Sequence, residues 1–390
     1  MNLRDKIVQE IRARGPIPFS RYMEMCLYDP ELGYYSRNAE RFGKAGDFYT
    51  SSDVHAVFGR LLARQFEEMW RVLGSPERIE IEELGPGRGL FAQDVLDWSE
   101  KKFPEFFRAV HYSLSERSPA LQERLRAMLE RHFATGKAST GKGTASVVPN
   151  SASAERALAP EVPLIVFANE FFDALPVEVI SLEGELRIAE KHGRFVETWS
   201  PASVDDLEYL DCYSVQPENG ERVETAHMAQ VYMSQLAASI RRGFLIAIDY
   251  GYTRQEQFAG RHRGTVTTYR QHSVSANPYQ APGEQDITAH VNFTALASAA
   301  ERQGMQARPL LTQSQFLMGI GESNQFADAF EACRIPQEHA KVALQLKHLV
   351  TPAGMGESFH VLVASKGVAP EQVASLRGLS FGTRGAWDKK

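Results

Sequence analysis

Cysteine is scarce: Cys26, Cys212 and Cys333 are the only three among 390 residues. They are far apart and odd in number, which leaves neither a disulfide framework nor a C-x-x-C metal pair. No metal is expected, because His272 is too isolated in the chain to complete a ligand set with Asp286 and His290. Long apolar runs are also missing. Nothing approaches the ~20 residues that span a bilayer, and residues 1–6 lack the apolar core of a signal peptide, so the expectation is a cytoplasmic protein without a membrane span. Charge of one sign is lacking too: 43 Lys and Arg stand against 49 Asp and Glu, a net −6. With no long basic block, nucleic acid is excluded as the main partner. What remains is an ordinary globular composition, 43% hydrophobic and 24% charged, in a chain long enough for two lobes.

The apolar patterning predicts an α/β protein. Residues 3–14 read as an amphipathic helix stopped by Gly15-Pro16, 19–28 as a second helix, and 29–52 as a loop-dominated cap. A long helix over 54–73 is expected at the edge of the sheet. Strands are expected at 79–84, 110–114, 164–168, 244–248 and 359–365, the first three alternating with helices, which is the pattern of a mostly parallel doubly wound sheet. The segment 135–153 reads as a surface loop around a short strand at 145–148. Segment 177–217 reads as short strands forming an antiparallel insertion, with 187–190 opposed to 195–199.

The strand at 79–84 runs into Gly85-Pro86-Gly87-Arg88-Gly89, a turn whose glycines permit positive φ and close approach of a ligand. A dinucleotide fingerprint would require its third glycine where Leu90 stands. The G-x-G-x-G spacing, with Glu83 two positions before the first glycine, instead resembles the first motif of class I S-adenosylmethionine (SAM) methyltransferases. The resemblance implies that Glu83 reaches the methionine ammonium, that Gly85, Gly87 and Gly89 line the cofactor, and that an acidic residue at the end of the next strand accepts the ribose hydroxyls. Glu116 stands there.

A set of further runs occurs in order along the chain: Gly46-Asp47-Phe48-Tyr49-Thr50-Ser51, Ala168-Asn169-Glu170-Phe171-Phe172-Asp173-Ala174-Leu175-Pro176, Asp249-Tyr250-Gly251 and Pro282-Gly283-Glu284-Gln285-Asp286-Ile287-Thr288-Ala289-His290-Val291. Together with the glycine turn they resemble the MidA family, SAM-dependent protein arginine methyltransferases whose mitochondrial members assist assembly of respiratory complex I. The fold so implied is a class I SAM-methyltransferase Rossmann-like doubly wound sheet with a helical N-terminal cap and an antiparallel β insertion. The expected division is a cap at 1–75, a methyltransferase domain at 76–180 and 240–368, an inserted lobe at 181–239 and a tail at 369–390. Two departures stand out: Ser52-Asp53-Val54-His55 replaces a usual Pro-Glu, and Asn292 replaces a usual Asp.

A guanidinium is planar, with forked donors and a pKa above ~12, so a site that methylates it needs carboxylates to hold it and to localise a lone pair on one nitrogen. Glu170 is the first candidate and Asp173 the second, with Asn169 at the strand end beside the acceptor nitrogen and in reach of the cofactor. The competing reading makes Glu170 and Asp173 caps of a following helix. Asp47 and Thr50 are expected to fold over the methionine end of SAM, Phe48 and Tyr49 to close the pocket, Asp249 to line the acceptor channel, and His290 to take the released proton. The partner is a protein carrying the target arginine; a homodimer could use the apolar Phe316-Leu317-Met318. A SAM-binding assembly factor without turnover stays open as the alternative.

Overall fold

The structure is a computed structural model and describes residues 2–37, 56–141, 162–270, 273–275 and 277–381. The chain divides into two compact units, one gathering Met1–Phe48, Phe171–Met233 and Gly251–Ala299, the other Tyr49–Glu170, Ser234–Tyr250 and Ala300–Lys390.

The second unit is built on a sheet in the spatial order Gln306–Ala307, Phe359–Lys366, Gly243–Tyr252, Leu164–Asn169, Ile79–Leu84, Val110–Ser115, Ala138–Thr140. The pairings from Gly243–Tyr252 through Ala138–Thr140 are parallel, as the patterning predicts, and Phe359–Lys366 runs antiparallel to Gly243–Tyr252. The central Leu164–Asn169 strand is buried almost throughout, consistent with its unbroken apolar run and with helices covering a parallel sheet. The helix Ala56–Val72 lies on the face of the sheet rather than at its edge: Phe66 meets Phe167 of the central strand at 5.6 Å, and Phe167 stacks on Phe91 of the helix Leu90–Lys102 at 4.5 Å. Its apolar residues recur on more than one stripe, which is why it is buried on so broad a surface. Phe316 and Leu317 are fully buried in this core, so the apolar face considered for pairing is consumed inside the unit.

The other unit joins the helices Leu3–Arg14 and Phe19–Tyr28 to a sheet in which Gly184–Lys191 is the hub, flanked by Ile17–Pro18 and Glu178–Ser181, with Val223–Thr225 beyond and Arg194–Ser200 as its hairpin partner. The expected hairpin is present, Arg187 opposite Thr198 and Ile188 opposite Glu197. The C-terminal part of the segment expected as strands is instead a helix, Val204–Tyr213, started by a capping box in which Ser203 and Asp206 satisfy each other's backbone N–H groups. A three-stranded sheet, Ser273–Ser275, Thr267–Arg270 and Asp286–Thr288, completes the unit. Leu3, Ile7, Ile11, Phe19, Tyr22, Ile188 and Ile287 form its core. The strand expected at 145–148, and Asp47, Phe48, Tyr49 and Thr50 of the cap, lie outside the described residues.

Candidate active site

The parallel register sets the candidate residues along one edge of the sheet. Leu84 is level with Ser115 on one side and Ala168 on the other, and Ile248 is level with Asn169. Gly85, Glu116, Asn169 and Asp249 therefore leave neighbouring strands at the same, carboxyl-terminal end, where doubly wound sheets bind ligands. The turn is pinned by Gly85 N–H donating to Ser115 O at 3.0 Å and Gly89 N–H to Pro86 O at 2.8 Å. Gly85, Gly87 and Gly89 have φ of +58°, +52° and +79°, in the region that side chains with a Cβ rarely adopt. Among the described residues, a Cβ on Gly87 would meet no atom within 4 Å beyond its chain neighbours, so its backbone faces space that a ligand can enter. Gly89 also starts the helix Leu90–Lys102, whose free N–H groups point back over the turn.

Two carboxylates flank the turn, and both are desolvated. Glu83 is buried, accepts the Tyr112 hydroxyl at 2.9 Å, and is pushed up to about 8 by burial, the Tyr112 hydrogen bond opposing. Glu116 is raised to about 7, again by burial, although the backbone N–H groups of Ser118 and Arg117 oppose it; Ser118 N–H donates to it at 2.8 Å. A cation beside Glu83 and hydroxyl donors beside Glu116 would each restore the ionised form. Tyr112 has no signal in the sequence; it reaches Glu83 only because the two strands pair in this register.

At the end of the central strand, Asn169 Nδ2 donates to Glu170 Oε1 at 3.1 Å. Glu170 has φ of +50°, and its N–H is tied to Ile248 O at 2.9 Å. No helix follows: residues 171–177 form a turn, with Leu175 N–H donating to Phe172 O at 3.2 Å, so the helix-cap reading of Glu170 and Asp173 fails. Asp249 is fully buried and accepts the N–H of Tyr250 at 3.0 Å.

Asp173 and His290 belong to the other unit. Asp173 is buried, and its carbonyl accepts Ala289 N–H at 2.9 Å, which joins the two motifs. Asp286 accepts the Tyr35 hydroxyl at 3.0 Å. His290 shares a hydrogen bond with His262, Nδ1 to Nδ1 at 3.0 Å, and is pushed down to about 4 by burial and by the second imidazole. It is thus neutral near pH 7. Asn292 donates to Tyr213 O at 2.9 Å while accepting Ala295 N–H at 3.1 Å. The first of these bonds needs the amide that distinguishes Asn from Asp.

The family model Methyltransf_28, described as an S-adenosyl-L-methionine-dependent methyltransferase, matches residues 61–310, well over half of the chain. The chain belongs to this methyltransferase family. Among curated proteins it is similar to the mitochondrial protein arginine methyltransferase NDUFAF7 homolog of Drosophila melanogaster, 30% identical across 94% of this chain and 85% of that protein. The human mitochondrial protein arginine methyltransferase NDUFAF7 is 27% identical over 91% of this chain and 81% of that one. Among solved structures, a COG1565 superfamily member from Burkholderia thailandensis bound to S-adenosyl-homocysteine has a TM-score of 0.81 at 27% identity, covering 97% of this chain and 94% of that one. The enzyme is a SAM-dependent methyltransferase of Rossmann-like fold. The cytoplasmic expectation is corrected by the curated relatives from Drosophila and human, which are mitochondrial: an ordinary globular composition without a spanning segment is shared by enzymes of many compartments. The residues around the turn fit SAM, with an open glycine backbone and two buried carboxyls that have no counter-charge among the described residues.

Proposed function

We propose that the protein methylates an arginine side chain of a partner protein. SAM supplies an electrophilic methyl on a sulfonium. Glu83, steadied by Tyr112, holds the methionine ammonium, and Glu116 accepts the ribose hydroxyls. Gly85 and Gly87 let the main chain run close beside the cofactor, while Gly89, where a Cβ would strike the Leu125 side chain, lets the turn pack against Leu125. On the acceptor side, Glu170 binds the guanidinium and Asn169 meets its nitrogen, and the proton released on transfer passes to solvent. Holding the reacting atoms at near-attack distance supplies up to ~7 to 11 kcal/mol of the barrier, so no covalent enzyme intermediate is required.

The observation that carries this reading is the pair of desolvated carboxyls at the ends of adjacent parallel strands around an open glycine turn. Arginine as acceptor is supported by the names of the relatives and by the Asn169-Glu170 strand end. By family resemblance the partner is a subunit of a respiratory complex. The test is transfer of label from methyl-labelled SAM to protein, followed by mass spectrometry of the labelled residue. Label on arginine is expected; label on lysine or glutamine would remove the arginine assignment, and SAM binding without transfer would make the protein an assembly factor that keeps SAM as a structural ligand.

A further inference from the structure

The side-chain amide of Asn169 is satisfied on one side only. Its Nδ2 donates to Glu170 Oε1 at 3.1 Å, whereas Oδ1 is shielded from solvent and accepts no hydrogen bond from any of the described residues. Buried polar atoms without a partner are rare in folded proteins unless a ligand or water completes them. The orientation is fixed by charge: turning the amide over would set Oδ1 against the Glu170 carboxylate, two acceptors with no proton between them. Glu170 itself is held in place, with φ of +50° and its N–H bound to Ile248 O. A residue kept in that rarely populated conformation at the end of a central strand is the mark of a site whose geometry is over-determined by its surroundings.

We propose that Asn169 Oδ1 accepts a hydrogen bond from an N–H of the bound ligands, and that Glu170 is the positioning residue that turns this acceptor toward them. This rests on the methyltransferase reading above. The N–H can come from the nitrogen that receives the methyl or from the cofactor's own ammonium. An acceptor at this point suits a nucleophile that donates a hydrogen bond while keeping a lone pair for attack, as a nitrogen does, and disfavours a carbon.

Sinefungin, an S-adenosyl analogue that carries an amine where the transferred methyl would be, separates the sources; S-adenosyl-homocysteine carries the ammonium but not that amine. Calorimetry on the purified protein should show a preference for sinefungin. Asn169→Leu should weaken sinefungin binding about 10-fold, the worth of one hydrogen bond to a charged group, with S-adenosyl-homocysteine unchanged. An equal loss for both ligands would assign Oδ1 to the cofactor ammonium and still support the inference. No change for either would overturn it. The role of Glu170 is read from an exchange. Asn169→Asp or Glu170→Gln alone should lower sinefungin affinity. Combining the two substitutions moves the amide to position 170 and the carboxylate to position 169, so the donor and acceptor trade places and one carboxylate oxygen stays free for the ligand. This double variant should recover the affinity, an outcome that a merely structural role does not produce. If the double variant is no better than the singles while thermal melts show all of them folded, the positioning role is wrong. A wild-type protein that binds neither analogue would overturn the methyltransferase reading together with this one.

Discussion

Binding of SAM should expel close to one proton at pH 7 and take up close to one at pH 9, with the sign changing near pH 8. Burial raises Glu83 to about 8, so at pH 7 its carboxyl is about nine-tenths protonated. The α-amino group of free SAM, with a pKa of ~7.8, is about 85% protonated at the same pH. The bound carboxylate and ammonium share one proton between them, so roughly 0.8 of a proton must leave at pH 7 and a similar amount must enter at pH 9. An ordinary carboxyl near 4.5 would give a slight uptake at pH 7 instead. Glu116, raised to about 7, adds up to ~0.5 to the release as the ribose hydroxyls favour its ionised form. Calorimetry in buffers of different ionisation enthalpy measures the total, and Glu83→Gln removes the share that belongs to that carboxyl. The same linkage acts on the ligand-free protein. A folded pKa above the unfolded one gives stability that is present below about pH 4.5 and lost as pH rises through about 8, so the share of the free protein's stability owed to Glu83, read as the difference from Glu83→Gln, should fall over that window while SAM's stabilising effect grows. Absence of release at pH 7, or equal release in Glu83→Gln, would refute the assignment of Glu83.

Gly87→Val should leave a folded protein, weakened by ~1 to 2 kcal/mol from its positive φ, because a Cβ there meets open space; SAM binding should vanish, which equilibrium dialysis would reveal. Glu170→Gly should relieve the φ of +50° and make the protein more stable to urea by up to ~1 kcal/mol while abolishing methyl transfer, and a loss of stability would contradict the strain argument. His290, depressed to about 4 by burial, must be protonated on unfolding, so stability should be lost as pH falls from about 6.5 toward 4; His290→Asn should flatten that limb of a denaturation series, and an unchanged limb would place the acid sensitivity elsewhere.

The strands that carry the site are legible because buried parallel strands are short unbroken apolar runs, and the glycine turn because its backbone conformation demands glycine. Glu83 and Glu116 are legible for the same reason: each sits at a fixed offset from a strand end. The Ala138–Thr140 strand is not, since three residues cannot show a period and its place is set by pairing with Val110–Ser115. The helix Val204–Tyr213 reads as strand although Ser203 and Asp206 form a capping box, a local signal outweighed by the hairpin pattern before it. The Tyr112 to Glu83 bond and the unsatisfied oxygen of Asn169 depend on register and on side-chain rotation, which no spacing records.

Whether this glycine turn serves methyl transfer to arginine is read by incubating the purified protein with methyl-labelled SAM and a lysate of its own host, beside Gly87→Val as the binding-deficient control. A labelled protein band carrying methylarginine, absent from the control, is the predicted result; a band that persists in the control, or methyl on another residue type, would contradict the account.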